Sequence, residues 1–141
     1  MDRADYERYV AAFNAPDYDA PDYDALFVFF ADDVRLEVSG HAMRGKQEIR
    51  AFYQFFHAYV RESVTILNFY PSATAAMADV LIRFEGMSDL TQAMLDAGGY
   101  GHMTPVPKGG AVEIEFFIQY EQGSDGLIHR IKGCVFVPAA R

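Results

Sequence analysis

The sequence predicts an α+β fold in which helices cover the concave face of a curved, mixed or mostly antiparallel β-sheet, leaving a cone-shaped space between the layers. Two observations carry this expectation. Apolar residues recur at helical spacing twice in the first 60 positions, as Tyr6, Tyr9, Val10 and Phe13 and again as Ile49, Phe52, Tyr53 and Phe56. From residue 62 onward, long segments alternate between apolar and polar residues and are broken by Gly- and Asp-containing turns. Helices first and a long sheet afterwards is the α+β order. The chain has 141 residues, of which 51% are hydrophobic and 15% aromatic, enough to bury a real core and too apolar for disorder. One domain over 1–141 is expected, with a helical and loop insert at about 87–110.

The first helix covers 2–14. Pro16 and Pro21 break the helical pattern after it, because proline lacks an N–H and disfavours helix in the residue before it. A short second helix is expected over 22–30, ended by Ala31-Asp32-Asp33, then a strand over 34–38 and a turn at Ser39-Gly40-His41. Gly45 precedes a third helix over 46–59. Strands are expected next over 62–70 and 74–85. In the insert, Ser88 is the expected N-cap of a helix over 88–97, Gly98-Gly99 its stop, and 101–110 a loop.

Two strands close the chain, 112–122 and 127–137, joined by Gly123-Ser124-Asp125-Gly126. A four-residue turn pairs Gln122 with Leu127. Phe116 then faces Gly133, Ile118 faces Ile131 and Tyr120 faces His129, all on one apolar face with Val112, Ile114 and Val135. The other face carries charged residues together with Phe117, Cys134 and Phe136, which points to a sheet-to-sheet homodimer. Glu37 and Asp79 alternate with apolar neighbours and are expected to face outward.

A net charge of −8 repels phosphate backbones, so nucleic acid is not an expected partner. No apolar run is long enough for a membrane span and no signal-peptide pattern opens the sequence, so a cytoplasmic location is expected. The single cysteine, Cys134, makes neither an internal disulfide nor a zinc site, and no phosphate-binding glycine motif occurs. Neither metal nor cofactor is expected.

The string "APDYDAPDYD" at 15–24 repeats five residues. Its aspartates Asp17, Asp19, Asp22 and Asp24 lack the glycine and terminal Glu of an EF-hand loop. They read as a solvated surface loop in which Asp22 caps the next helix.

The ordered motifs Phe13-Asn14, Asp22, Ala31-Asp32-Asp33, Gly45, Ile49–Tyr53 and the closing "DGLIHRIKGCVFV" together resemble the nuclear transport factor 2-like superfamily, in its SnoaL-like and ketosteroid-isomerase-like branch. The resemblance spans nearly the whole chain. It implies a cystatin-like α+β barrel, with a single copy of "APDYD" as the usual joint between the first two helices, duplicated here. It also implies an oxyanion-holding tyrosine at Tyr9, supported by Tyr53. The isomerase's general base would fall at Val38 and its protonated acid near Phe116, and neither residue can transfer a proton.

Tyr9 and Tyr53 are therefore candidates to hold a ligand oxygen, or else are core tyrosines bonded to each other. His129, beside Tyr120, and His57, one turn after Tyr53, are the candidate proton carriers. For each the alternative is a satisfied structural histidine. Val38, Phe56, Phe116, Ile118, Tyr120 and Ile131 are expected to line the pocket. His41 is expected in an exposed turn. His102 belongs to the insert loop, where it either covers the pocket mouth as part of a lid or faces solvent; Met87, Met94 and Met103 suit such a lid or pack on the sheet edge. Three functions stay open. One is an acid–base enzyme (isomerase, dehydratase, hydrolase or cyclase) on a small apolar carbonyl or epoxide. The others are a non-catalytic ligand-binding domain and a protein-interaction domain.

Overall fold

A computed structural model gives the structure of the chain and describes residues 1–14, 22–38 and 40–139. Helix α1 is Arg3–Phe13 and α2 is Tyr23–Phe27; strand β1 is Phe30–Val38 and β2 is His41–Arg44. Helix α3 is Gly45–His57, followed by β3 (Val60–Pro71), β4 (Ala75–Gly86), α4 (Gln92–Gly98), β5 (Ala111–Gln122) and β6 (Ile128–Phe136). The six strands form one curved, unclosed sheet in the order β2-β1-β6-β5-β4-β3. All neighbours are antiparallel except β1 and β6, which run parallel. No helix among the described residues is long and apolar enough to cross a membrane.

Each helix has a local cause. Asp2 and Asp5 close a capping box at the start of α1, each side chain accepting from the other's backbone N–H. Asp22 caps α2 by accepting from Asp24 N and Ala25 N. The α3 stripe Ile49, Phe52, Tyr53 and Phe56 is buried against β1, β2 and β3. Asn14, just past α1, clips the helix to the sheet: its side chain donates to Val64 O (2.7 Å) and accepts from Val64 N (2.8 Å). That doubly bonded amide stands in for a strand partner and holds α1 over β3.

Several boundaries differ from the sequence expectation. The second helix stops at Phe27, and β1 starts at Phe30 because that residue pairs with Ile128 on β6. Ala31-Asp32-Asp33 therefore lies inside a strand. His41 begins a short strand, β2, that periodicity did not separate from the turn before it. The insert helix is capped by Thr91, whose side chain accepts from Met94 N, rather than by Ser88. Gly99, at φ +84°, stops it in the left-handed region that glycine tolerates. The repeat at 15–24 falls largely outside the described residues, so its lengthening of the joint, and Asp17 and Asp19, lie there too.

The closing hairpin is displaced two residues from the expected register. Phe116 pairs with Val135, Ile118 with Gly133 and Tyr120 with Ile131. One step comes from the turn, where Gln122 meets Ile128 instead of Leu127. The second comes from a bulge between Glu121 and Gln122 that leaves His129 without a partner on β5. Two steps restore the alternation, so Phe116, Ile118, Tyr120 and Ile131 keep the inner face. His129 does not.

Candidate functional site

A cavity of about 580 Å³ fills the space between the sheet and the helices. Its wall is mainly apolar, including Leu36 and Val38 from β1, Phe52 and Phe56 from α3, Val64 from β3 and Ile82 from β4. Phe116, Ile118 and Tyr120 from β5 and Ile131 from β6 complete the sheet side. The second half of the insert closes another side with Met103, Thr104, Pro105, Val106 and Pro107. That segment is anchored by the paired backbones of Leu90 and Val106 and by bonds from Gly86 N to Gly110 O and Gly109 N to Gly86 O, each 2.8 Å.

One group of polar side chains lies where α1 and α3 meet the sheet. Tyr6, Tyr9 and Tyr120 share one aromatic cluster, with the Tyr6 and Tyr120 hydroxyls 2.9 Å apart. Burial pushes the Tyr6 phenol up to about 12 and holds Tyr9 and Tyr120 far above the ordinary tyrosine range; for Tyr9 the charges of Tyr6 and Glu62 push the same way. All three phenols stay protonated; one of Tyr6 and Tyr120 donates its proton to the other, which leaves the partner and Tyr9 as possible donors to a ligand oxygen.

Among the described residues Glu62 is the buried charged one, and it lies on the cavity wall. It is absent from the expected site residues because the expected strand begins at Glu62 itself. Starting at Val60 exposes the signal: Val60, Glu62 and Val64 share one strand face, and Val60 is fully buried. A carboxylate at an inward, apolar position is uncommon unless paired. Its neighbour is His57, whose Nε2 lies 3.5 Å from Glu62 Oε1 with both side chains under 10% exposed. Behind His57, Nδ1 is 3.2 Å from the Tyr23 hydroxyl.

The expected site residues divide accordingly. Tyr9, Tyr53, Tyr120, Phe116, Ile118, Ile131, Val38 and Phe56 are on the cavity wall. His57 sits behind that wall, against Glu62. His129, thrown out by the bulge, is half-exposed and bonds Asp125 through Nε2 (2.9 Å). His41 and His102, expected in turn and loop, both reach the cavity lining and stack with ring centres 4.0 Å apart. Glu37 faces outward into ion pairs with Arg130 (2.9 Å) and Arg35 (3.0 Å). Among the described residues, no three His, Cys, Asp or Glu side chains converge as metal ligands would.

Comparison with known proteins comes to the same architecture. Residues 6–131 match the sequence profile of the SnoaL-like domain. Among curated proteins none matches the sequence significantly. A crystal structure of a candidate polyketide cyclase from Pseudomonas putida KT2440 superposes with a TM-score of 0.71 at 20% identity, covering 94% of this chain and 88% of that one. A nuclear-transport-factor-2-like protein of unknown function from Exiguobacterium superposes at 0.67 with 15% identity, covering 94% and 98%. A Mycobacterium tuberculosis protein in complex with estradiol-17beta-hemisuccinate superposes at 0.65 with 19% identity, covering 91% and 87%. At these identities the likeness is one of fold.

Proposed function

The chain belongs to the SnoaL-like domain family, and on that premise we propose that it takes a small, largely apolar ring compound into the cone, with an oxygen of that compound turned toward Tyr9 and Glu62. The observation that carries this is the cavity itself: about 580 Å³, apolar on most sides, with buried phenols and one buried carboxylate at a single end. A cavity of that size holds a molecule of several fused rings. The candidate cyclase and the steroid complex among its structural neighbours support a ring compound.

The chemistry that suits these groups is proton transfer next to a carbonyl, as an isomerase, dehydratase, hydrolase or cyclase performs it. Tyr9, with Tyr53 on the same wall, would hold the ligand oxygen as a neutral donor, which its raised pKa favours. Val38 and Phe116 occupy the positions where the isomerase-like pattern has carboxyl groups, so among the described residues Glu62 on β3 is the carboxyl on the cavity wall that would move a proton. A non-catalytic binding domain is the second reading, and the apolar Val38 and Phe116 are what favour it. A second copy of the chain is the proposed partner for the outer sheet face.

The test is calorimetric titration with estradiol-17beta-hemisuccinate, a multi-ring probe. Binding in the micromolar range is expected, and Ile118→Trp, which fills the cavity, should weaken it by at least about tenfold while the melting temperature holds. Equal affinity in Ile118→Trp would place the probe elsewhere, and no binding to the wild type would remove the pocket reading.

A further inference from the structure

A second group of polar side chains lies on the cavity wall, across the sheet from Glu62. Strand β2 forms one edge of the six-stranded sheet and β3 the other, so His41 on β2 and Glu62 on β3 stand at opposite edges. His41 pairs with Val38, and directly opposed residues share a face, so its side chain turns inward with Val38. The insert brings His102 against it, with ring centres 4.0 Å apart and planes at 21°. Tyr100 meets His41 edge-on and packs in turn on Phe52. Both imidazoles line the cavity, and neither makes a hydrogen bond to the described residues. Nε2 of His41 is in addition sealed from water. Phenylalanine at either position would fill the same space without an unmet nitrogen, so packing alone does not account for the pair.

We propose that His41 and His102 form an anion subsite at the cavity mouth, and that the ligand is a ring compound bearing a carboxylate at that end. This rests on the pocket reading above and adds the chemical class of the ligand. Among the described residues that line the cavity there is no Lys or Arg, so these two imidazoles are the lining groups that can turn cationic. Glu62, at the opposite edge, has the same charge as a carboxylate when ionised, which favours placing the ligand's acid at the imidazoles. Partial burial and, after it, the charge of His41 hold His102 below the ordinary histidine value, so the empty pair resists taking up protons. A bound carboxylate reverses that balance: it accepts from the imidazoles and draws a proton from solution onto the pair. The other titratable groups beside the pair are the Tyr100 phenol and Asp96 on α4, whose carboxylate lies behind Gly101 and accepts from Gln92. Glu37 on the adjoining strand faces outward to Arg35 and Arg130.

The experiment is calorimetric titration near neutral pH with two probes that share one ring system, estradiol-17beta-hemisuccinate and estradiol, the second lacking the carboxylate. The wild type should prefer the hemisuccinate by at least about tenfold. Repeating the titration in buffers of different ionisation enthalpy should show proton uptake with the hemisuccinate and none with estradiol. His41→Phe and His102→Phe keep a flat ring in the stack. Each should cut the preference to below about threefold and abolish the proton uptake, with unchanged far-UV circular dichroism showing that the variant is folded. Equal affinity for the two probes in the wild type would overturn the anion subsite and leave the pocket reading in place. A preference that survives in both variants would put the carboxylate elsewhere and overturn the subsite as well. If neither probe binds the wild type, the pocket reading falls and takes the subsite with it.

Discussion

Tyr6, Tyr9 and Tyr120 put three phenols within ring contact of one another, and Tyr6 is fully buried. Burial raises the Tyr6 value from 10.0 to about 12, so the folded chain resists losing a proton that the unfolded chain gives up readily. The associated stability is complete below about pH 10 and is lost as pH rises through about 12; two units correspond to about 3 kcal/mol. Tyrosinate absorbance should therefore lag in the native protein and rise together with the loss of near-UV circular dichroism above pH 10. Smooth titration of every tyrosine near pH 10 with structure retained would contradict this. Tyr9 was legible from helical spacing alone, because an aromatic at an apolar position of α1 must face the sheet. Its hydrogen-bonded neighbours were not: the Tyr6–Tyr120 bond joins residues 114 apart, and no local pattern encodes that. Glu62 was legible and missed, hidden by a strand boundary set two residues late.

At the level of elements, the insert is fastened to the sheet at one glycine. A Cβ on Gly86 would lie 2.0 Å from the Pro107 carbonyl oxygen, and backbone cannot yield as a side-chain tip can. Both hydrogen bonds of Gly86 to the 109–110 segment depend on the same close approach. Gly86→Ala should cost about 2–3 kcal/mol in urea unfolding. Gly133→Ala, whose Cβ would meet Val38 and Ile118 at 3.4 and 3.6 Å, should cost less than about 1 kcal/mol. Equal effects would mean that the insert is not held there. The closing hairpin shows where element-scale reading stops. Strand existence and face were readable from alternation, but register depended on a turn one residue longer than assumed and on a bulge. Gly126, at φ +76°, and the Asp125 carboxylate accepting from Leu127 N stabilise that longer turn. The two shifts cancelled in parity for every residue beyond the bulge, so the apolar wall survived an incorrect register. At the bulge they did not cancel, which put Ile128 into the core and His129 outside it.

For the whole molecule, the order of elements was readable because each carries its own periodicity, whereas the sheet order was not, since β1 meets β6 in parallel across nearly a hundred residues. The same long-range pairing sets which residues crowd together on the outer face. Phe117 sits opposite Cys134 on β6, and its ring meets Phe136 edge-on at 5.6 Å. Phe136 and Met77 remain over 40% exposed, and Cys134 is exposed beside them. Charged pairs such as Glu121 with Lys132 and Arg83 with Glu113 flank this patch, the arrangement of an apolar centre and polar rim that protein interfaces share. A net charge of −8 opposes association in general, so a dimer must rest on this apolar centre and not on bulk electrostatics. Sedimentation at tens of micromolar should accordingly give twice the 15.8 kDa of one chain. Phe117→Asp and Phe136→Asp should each shift the protein to monomer with unchanged far-UV circular dichroism, because both side chains point away from the core and its cavity. Raising salt should tighten the wild-type dimer by screening the repulsion of two acidic copies, the reverse of what an ion-paired interface would do. A wild-type monomer at that concentration, or a dimer indifferent to both aspartates, would leave the outer face without the proposed partner.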